Sequence, residues 1–318
     1  MKKFAALVLA GAMTLGLAAC GGGNTSTPAA SSTPATSTPA ASTGSDYASL
    51  DPVVLRGADS AGVGAAAQQL GELVAEKVDA ITGGQLTVEY YPNSEMGGDM
   101  DIQQQMLDGT LDYVVLQTAP TVSFVPAVAV FDLPMVFAQY DGDTIDQVLN
   151  GDDSEFLKAI APKYEEKNMK ILGYLQNATY RLTTSNVKLD TLDAFKGLQI
   201  RTMENQNHMA FWSALGAAPT PLAWPEVYIS LQNGTIDAQE NAADTCMTSN
   251  FQEVQKYLNF TNHILYLNQI IINNDKFNSL DPLYQDALTQ AVEEAIAELR
   301  PALTELDKSS KDTLAAGG

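Results

Sequence analysis

The sequence predicts an α/β protein, because segments with the pattern of strands alternate with segments that have the pattern of helices. Residues 53–116 follow the order strand, helix, strand, helix, strand, and residues 195–241 follow the order strand, helix, loop, helix, strand. This alternation is typical of sheets that are covered by helices. At 318 residues the chain is long enough for two domains of ordinary size. We therefore expect two α/β domains, each built around its own sheet.

The composition indicates a globular and strongly acidic protein. Hydrophobic residues make up 45% of the chain, which suffices for a packed core, and the formal net charge is −21 at pH 7. Such an acidic protein is repelled by nucleic acid and by anionic lipid, and we expect no nucleic-acid partner. An anion could still bind to it, but only through specific donors in a local site.

The first 19 residues have the pattern of an export signal, with a basic start, an apolar run and small residues before a break. The tetrapeptide Leu-Ala-Ala-Cys that ends at Cys20 resembles the bacterial lipobox, and this resemblance implies cleavage before Cys20 and lipidation of that residue. An ordinary secretory cleavage site with an incidental cysteine is the alternative. Residues 20–49 are rich in Ser, Thr, Pro and Ala and lack the apolar surface that folding requires, which predicts a disordered tether.

The first domain is expected to begin near Leu50. Apolar residues at helical spacing between Gly64 and Ile81 predict a helix, and the glycines that follow predict its end. A further helix is predicted at 99–108, and strands are predicted at 53–56, 86–90, 113–116, 169–175, 258–260, 263–266 and 270–273. The apolar segment 119–140, which prolines interrupt, is predicted as a packed loop. Gln117 directly follows a buried strand. Because ligands of open α/β sheets bind at the carboxyl ends of strands, Gln117 is a candidate ligand contact.

The stretch 195–241 contains the strongest candidate binding residues. Leu198 and Ile200 alternate with polar neighbours as a short strand, and Arg201 stands at its end. A guanidinium at that point is placed to hold a carboxylate through two parallel hydrogen bonds. A salt bridge to a surface acid is the alternative. Trp224, in the proline-bounded loop 219–225, could cover the apolar part of a ligand or pack in the core.

The same stretch resembles the solute-binding proteins of tripartite ATP-independent periplasmic (TRAP) transporters, the DctP family. The segments that carry the resemblance are Lys196-Gly197-Leu198, Ile200-Arg201, His208-Met209-Ala210-Phe211-Trp212, Ala214-Leu215-Gly216-Ala217, Pro219-Thr220-Pro221, Glu226-Val227-Tyr228, Leu231-Gln232, Ile236-Asp237 and Gln239-Glu240-Asn241. Outside this stretch, the matching segments are Tyr91-Pro92, Gly97-Gly98, Gly109-Thr110-Leu111-Asp112 and Phe131-Asp132-Leu133-Pro134.

The resemblance implies a two-domain clamshell of the periplasmic-binding-protein type, with a long C-terminal helix that crosses both domains. We place the first α/β domain at residues 50–177 with 267–300, and the second at residues 178–266. Residues 301–318 form a C-terminal segment that is shorter than in the family, so it is either naturally short or truncated. Apolar spacing and Asp281-Pro282 independently predict the start of that helix, and Pro301 should bend or restart it.

The resemblance also implies roles for individual residues. Arg201 matches the arginine that clamps the carboxylate of an organic acid in the family. Arg181 matches a position at which an arginine often helps to hold the anion, and a salt-bridged strand arginine is its alternative reading. Asn241 is expected to add a donor, while Gln117 and Trp224 are expected to shape the rest of the site.

The remaining polar residues predict neither catalysis nor a metal site. Asp141, Asp143 and Asp146 resemble the start of a calcium loop but lack its glycine and its final glutamate, which favours a solvated turn. The two histidines, His208 and His263, lie far apart without a supporting ligand motif. Cys246 is interpreted as a buried structural thiol rather than a nucleophile. We therefore expect no enzymatic activity and no cofactor.

These observations predict an extracytoplasmic lipoprotein that captures a small organic acid and delivers it to the permease subunits of a TRAP transporter. We expect a monomer that Cys20 anchors to the outer face of the cytoplasmic membrane or within the periplasm. A ligand-sensing surface lipoprotein that feeds a signalling partner is the alternative. The resemblance leaves the identity of the acid open, because C4-dicarboxylates, sugar acids, sialic acid and aromatic acids are all bound by members of the family.

Overall fold

The computed structural model describes residues 47–177 and 179–316, and the strands in these residues form two five-stranded sheets. The first sheet contains β1 (Val53–Asp59), β2 (Leu86–Tyr91), β3 (Tyr113–Gln117), β4 (Met169–Leu175) and β10 (Asn268–Asn273). The second sheet contains β5 (Leu182–Ser185), β6 (Gln199–Thr202), β7 (Ala218–Pro221), β8 (Ala238–Asn241) and β9 (Tyr257–Asn259). The predicted α/β class with two sheets is confirmed.

Helices connect most of these strands. They are α1 (Ala66–Thr82), α2 (Asp99–Leu107), α3 (Thr118–Thr121), α4 (Gly142–Asn150), α5 (Glu155–Glu165), α6 (Gln206–Ala214), α7 (Val227–Gln232), α8 (Ala243–Thr248), α9 (Asn274–Ser279) and α10 (Pro282–Ala316). Helical turns of the 3₁₀ type lie at Pro126–Asp132, Leu192–Phe195, Trp224–Glu226 and Phe251–Glu253. The predicted helices at 64–81 and 99–108 are confirmed as α1 and α2. None of the helices in the described residues combines the length and apolar character that crossing a bilayer requires.

Both sheets are mixed, and helices cover both of their faces. The first sheet has the strand order β2-β1-β3-β10-β4, in which β1 is parallel to its neighbours and β10 is antiparallel to its neighbours. The second has the order β7-β6-β8-β5-β9, in which β6 is parallel and β5 antiparallel to their neighbours. Along β10, Ile270 and Ile272 pack into one apolar cluster and Ile271 packs into another, as the alternation of strand side chains requires.

The chain passes between the two sheets twice, from β4 to β5 and back from β9 to β10. A bridge between Tyr180 and Leu265 joins the two connections in antiparallel orientation. On either side of this bridge, the Arg181 amide donates to the Ile264 carbonyl at 2.9 Å, and the Tyr266 amide donates to the Thr179 carbonyl at 2.8 Å. The predicted domains, 50–177 with 267–300 and 178–266, meet at these connections, and the division of the chain into these two domains stays a prediction.

The structure differs from the predicted elements at three places. The predicted loop 219–225 begins as strand β7, which pairs with β6 at the edge of the second sheet. Prolines are tolerated there because an edge strand has one side that pairs with no neighbour. Residues 263–266, predicted as a strand, form the single bridge described above. The apolar segment 119–140, predicted as a packed loop, contains the end of α3 and a 3₁₀ turn.

We call the part of the molecule around the first sheet the first half and the part around the second sheet the second half. Helix α10 contacts both halves, as predicted. It packs against α1 and β4 on the first sheet and against α8 beside the second sheet. Its buried face includes Ala287, Ala291, Ala295 and Leu299. The predicted restart at Pro301 is wrong, because the helix continues to Ala316. A proline inside a helix removes one backbone hydrogen bond, and apolar packing before and after Pro301 offsets that loss.

A buried carboxyl group lies where α10 meets α8. Asp244 of α8 is 6% exposed, and the nearby side chains of α10 are Asp307 and Lys311, which pair with each other at 2.6 Å. Burial raises the pKa of Asp244 to about 6, and the charge of Asp307 acts in the same direction. The Thr245 amide and Lys311 oppose this shift. The ionised form of Asp244 is therefore disfavoured in the folded protein.

We expect the substitution Asp244→Asn to stabilise the protein near pH 8 but not near pH 4. Between the ordinary pKa of 3.8 and the folded value of about 6, the folded chain binds the extra proton, so stability decreases as the pH rises through this window. The full shift corresponds to roughly 3 kcal/mol. Thermal melts of both proteins at the two pH values measure the difference. Equal melting temperatures at both pH values would contradict the expectation.

Candidate ligand-binding site

A cavity lies at the carboxyl ends of strands from both sheets. It contains about 390 Å³ of atom-free space, part of which is continuous with solvent. Gln117 is the last residue of β3 and Arg201 lies near the end of β6, as the position of ligands in α/β sheets predicts. The lining residues are Ser60, Ala61, Ala67, Asp99, Val115, Leu116, Gln117, Arg201, Met203, Trp224, Thr245, Tyr266 and Asn268.

Arg201 is buried in the wall of this cavity. Its side chain is 2% exposed, and its Nε and Nη2 atoms both donate to the Leu222 carbonyl, at 3.0 and 2.7 Å. The guanidinium carbon lies over the Trp224 ring, 5.6 Å from the ring centre. In the part of the chain that the structure describes, Nη1 makes no hydrogen bond and no carboxylate lies within 4.0 Å of the guanidinium.

The charge of Arg201 is therefore incompletely compensated. Burial lowers the pKa of Arg201 to about 10, although the more distant charges of Glu240 and Asp99 act in the opposite direction. The side chain remains a cation at neutral pH. A buried charge without a close partner is costly, and a carboxylate that entered the cavity would remove that cost. This corner of the cavity is suited to bind an anion.

Arg181 differs from Arg201, because the protein itself supplies its counter-ion. Its Nη1 atom lies 2.7 Å from Glu240 Oε2 and donates to the Glu240 carbonyl at 3.1 Å. Its Nη2 atom donates to Gln117 Oε1 and lies 3.0 Å from Met203 Sδ. The guanidinium carbon is 5.5 Å from the centre of the Tyr266 ring. The charge of Arg181 is thus balanced without a ligand.

Glu240 is a buried counter-ion that sequence reasoning did not single out. Burial alone would raise its pKa, but Arg181 and the two histidines outweigh burial and lower the pKa of Glu240 to about 2. His263 Nε2 lies 3.3 Å from Glu240 Oε2, and His208 Nδ1 lies 3.8 Å from Glu240 Oε1. A signal was available, because an acid within the buried strand 238–241 requires a cationic partner.

The other predicted site residues surround Gln117. Its Nε2 atom donates to Tyr266 Oη at 3.1 Å and lies 3.5 Å from Asn241 Oδ1. Asn241 is buried and donates to Gln239 Oε1 at 2.9 Å. The structure thus brings Arg201, Gln117 and Trp224 together on the cavity wall. It places Arg181 and Asn241 in contact with Gln117 and outside the lining.

Two acceptors in the cavity were also missed by sequence reasoning. Asp99, the first residue of α2, is buried and accepts a hydrogen bond from Ser60 Oγ. Burial raises the pKa of Asp99. The hydrogen bond from Ser60 and the charges of Arg201 and Arg181 act in the opposite direction but are weaker. Asn268, the first residue of β10, has a buried Oδ1 atom without a hydrogen-bond partner among the described residues. Residues with acceptor oxygens thus line the cavity together with Arg201.

The residues considered for catalysis or metal binding have other contacts. Cys246 is buried, and burial raises the pKa of its thiol to about 12, which keeps it protonated. Asp141 caps α4 by accepting from the Thr144 amide at 2.7 Å. Asp143 and Asp146 lie 3.0 and 2.9 Å from Arg300 of α10.

The sequence matches a known family and known proteins over most of its length. The family is described as bacterial extracellular solute-binding protein, family 7, and the match covers residues 58–318. The 2,3-diketo-L-gulonate-binding periplasmic protein YiaO of Escherichia coli is 31% identical over 230 residues, which span 72% of this chain and 67% of the relative. The sialic acid-binding periplasmic protein SiaP of Vibrio cholerae is 29% identical over 234 residues, or 73% of this chain and 71% of the relative.

Solved structures of similar fold include proteins with bound sugar acids. The TRAP periplasmic solute binding protein from Sulfitobacter sp. NAS-14.1, with bound β-D-galacturonate, aligns with a TM-score of 0.78 and 26% identity, over 84% of this chain and 87% of that one. The sugar acid binding protein DctPAm from Advenella mimigardefordensis, in complex with galactonate, aligns with a TM-score of 0.77 and 27% identity, over 84% of each chain. The chain therefore belongs to the family 7 bacterial extracellular solute-binding proteins, the DctP family of TRAP transporters, whose members are extracytoplasmic transport proteins and not enzymes.

Proposed function

We propose that this protein captures a small organic acid, holds its carboxylate against Arg201 and delivers it to a TRAP permease. The observation that carries the proposal is the buried guanidinium on the cavity wall, which has no carboxylate within 4.0 Å among the described residues. A ligand carboxylate can bridge Nη1 and the second hydrogen of Nη2, while Nε and the first hydrogen of Nη2 stay on the Leu222 carbonyl. Closure of the two halves would exclude water from this pair.

The acid proposed is hydroxylated. Asp99 and Asn268 line the same cavity as Arg201, and the Asn268 oxygen is unpartnered in the described residues. Hydroxyl groups on the ligand could donate to both residues, whereas a plain hydrocarbon chain would leave the Asn268 oxygen buried without a donor. Proteins of similar structure carry β-D-galacturonate, β-D-glucuronate and galactonate, which are all hydroxylated acids. A sugar acid fits this combination of one cation and several acceptors.

The other predicted residues contribute around the clamp. Trp224 presents its ring to the cavity and to Arg201, so it can cover the apolar side of a sugar acid. Gln117 stands between the cavity and the Arg181–Glu240 pair. A movement of the Gln117 side chain would expose Arg181 and Asn241 as further donors to the ligand.

Membrane attachment through Cys20 is also part of the proposal. Cys20 and the tether 20–49, except its last three residues, lie outside the described residues, so the support for them comes from the sequence pattern. Two or more acyl chains hold a protein stably on a bilayer, and a tether of this length would keep the binding protein near its membrane partner.

The proposal is tested first by calorimetric titration with D-galacturonate, D-glucuronate, D-galactonate, succinate and methyl D-galacturonate ester. We expect at least one sugar acid to bind more tightly than succinate. We expect the ester to bind about 100-fold or more weakly than the free acid, because it cannot pair with Arg201. Equal affinity for galacturonate and its ester would contradict the carboxylate clamp.

The two buried arginines should respond differently to alanine substitution. Arg201→Ala should abolish binding of the acid and leave the melting temperature of the ligand-free protein nearly unchanged, because the removed charge has no carboxylate within 4.0 Å in the described part of the chain. Arg181→Ala should destabilise the fold by about 3–5 kcal/mol, because Glu240 is left buried and unpaired. Calorimetry and thermal melts measure both effects.

Arg300→Ala is the matched control, since it removes an arginine that pairs with Asp143 and Asp146 away from the cavity. It should leave acid binding intact. Retained affinity in Arg201→Ala would remove that residue from the site.

A further inference from the structure

The carboxylate of Asp132 lies between the two halves of the molecule and outside the cavity lining. Asp132 ends the 3₁₀ turn Pro126–Asp132, and the neighbouring Val128 and Phe131 are buried in a core cluster of the first sheet. The side chain of Asp132 is only 4% exposed. It therefore belongs to the first half by its backbone and requires hydrogen-bond donors for its buried oxygens.

Among the described residues, every side-chain donor to Asp132 comes from the second half. Its Oδ2 atom accepts from Asn205 Nδ2 at 2.8 Å and from Asn207 Nδ2 at 2.9 Å. Its Oδ1 atom lies 3.2 Å from His208 Nε2. These three residues form the start of α6, a helix that packs on the second sheet through Trp212.

Asn205 strengthens the same connection. Its Nδ2 atom also donates to the carbonyl of Ala119, which follows β3 of the first sheet, at 2.9 Å. Its Oδ1 atom accepts from the amides of Asn207 and His208 at 2.8 and 3.1 Å and so caps α6. Asp132 is also placed at the helix end where the dipole favours a negative charge. In the described residues, no lysine or arginine lies within 4.0 Å of Asp132.

We propose that Asp132 is a positioning residue that favours the closed arrangement of the two halves and thereby raises the affinity for the ligand without touching it. If the halves separate, the carboxylate exchanges the donors of α6 for water, and each half keeps its own core. A weaker contact at Asp132 therefore penalises the closed form alone. This inference rests on the proposed function in one respect, because it takes closure around an acid as the binding step.

The expected size of the effect follows from linkage between closure and binding. The apparent dissociation constant equals the intrinsic constant divided by the closed fraction, so any loss of closed population appears as weaker binding. In Asp132→Asn, the new amide group would face the amide groups of Asn205 and Asn207. We expect the apparent dissociation constant for D-galacturonate, or for the tightest acid of the panel above, to rise about tenfold or more.

The experiment combines calorimetry with small-angle X-ray scattering of the full chain. Asp132→Asn should weaken binding, and saturating acid should still compact the variant to the radius of gyration of the liganded wild type. Asn207→Ala should weaken binding by a smaller factor and leave the ligand-free melting temperature unchanged, since Asn207 is exposed. In the Asp132→Asn background, Asn207→Ala should have little further effect, because the two side chains act through one contact.

Asp143→Asn is the matched control, since Asp143 lies in the first half and pairs with Arg300 of α10. It should bind the acid like the wild type. An unchanged dissociation constant in Asp132→Asn, or fully additive effects of the two substitutions, would overturn the inference.

Failure of the proposed function has a different signature, because the wild type would then bind no acid of the panel. The role of Asp132 is in that case decided by scattering of the ligand-free proteins. A larger radius of gyration for Asp132→Asn than for wild type and Asp143→Asn would support it, and equal radii would refute it.

Discussion

The electrostatics of the cavity depend on two buried guanidinium groups that differ in their partners. Arg181 lies 2.7 Å from the buried carboxylate of Glu240, so the folded protein itself compensates the charge of Arg181. Arg201 has a carbonyl as its hydrogen-bond acceptor, at 2.7 and 3.0 Å, and no close carboxylate in the described residues. Desolvation of the second cation is thus a cost that an anionic ligand can remove, and this difference makes Arg201 the centre of the proposed site.

An acidic protein can hold an anion in this way because the attraction is local. The formal net charge is −21, and a general surface field would repel a carboxylate. Burial reduces screening around Arg201, so a few donors at short range outweigh the distant negative charges. Residues of both sheets line the cavity, and the contact of Asp132 with the start of α6 is the second place where we propose that closing of the halves is stabilised.

Local sequence patterns were sufficient for most elements and for two of the residues that line the cavity. Alternating apolar residues predicted β2 and β6, and apolar residues at helical spacing predicted α1. The expectation that ligands bind at the carboxyl ends of strands pointed to Gln117 and Arg201, which both line the cavity. The partners of Glu240 and Asp132 could not be predicted, because each partner comes from a distant segment of the chain. Tertiary context also explains the errors. The proline-rich segment 218–221 forms a strand because it pairs with β6. Helix α10 continues through Pro301 because apolar residues before and after the proline are packed against the rest of the protein.

The most direct test is a crystal structure of the protein in complex with the acid that binds most tightly in solution. The expected result is a ligand carboxylate with an oxygen about 3 Å from Nη1 or Nη2 of Arg201, while the Leu222 carbonyl remains bound to the same guanidinium. A complex in which the carboxylate lies away from Arg201, and Arg201 keeps its present contacts alone, would contradict the central claim.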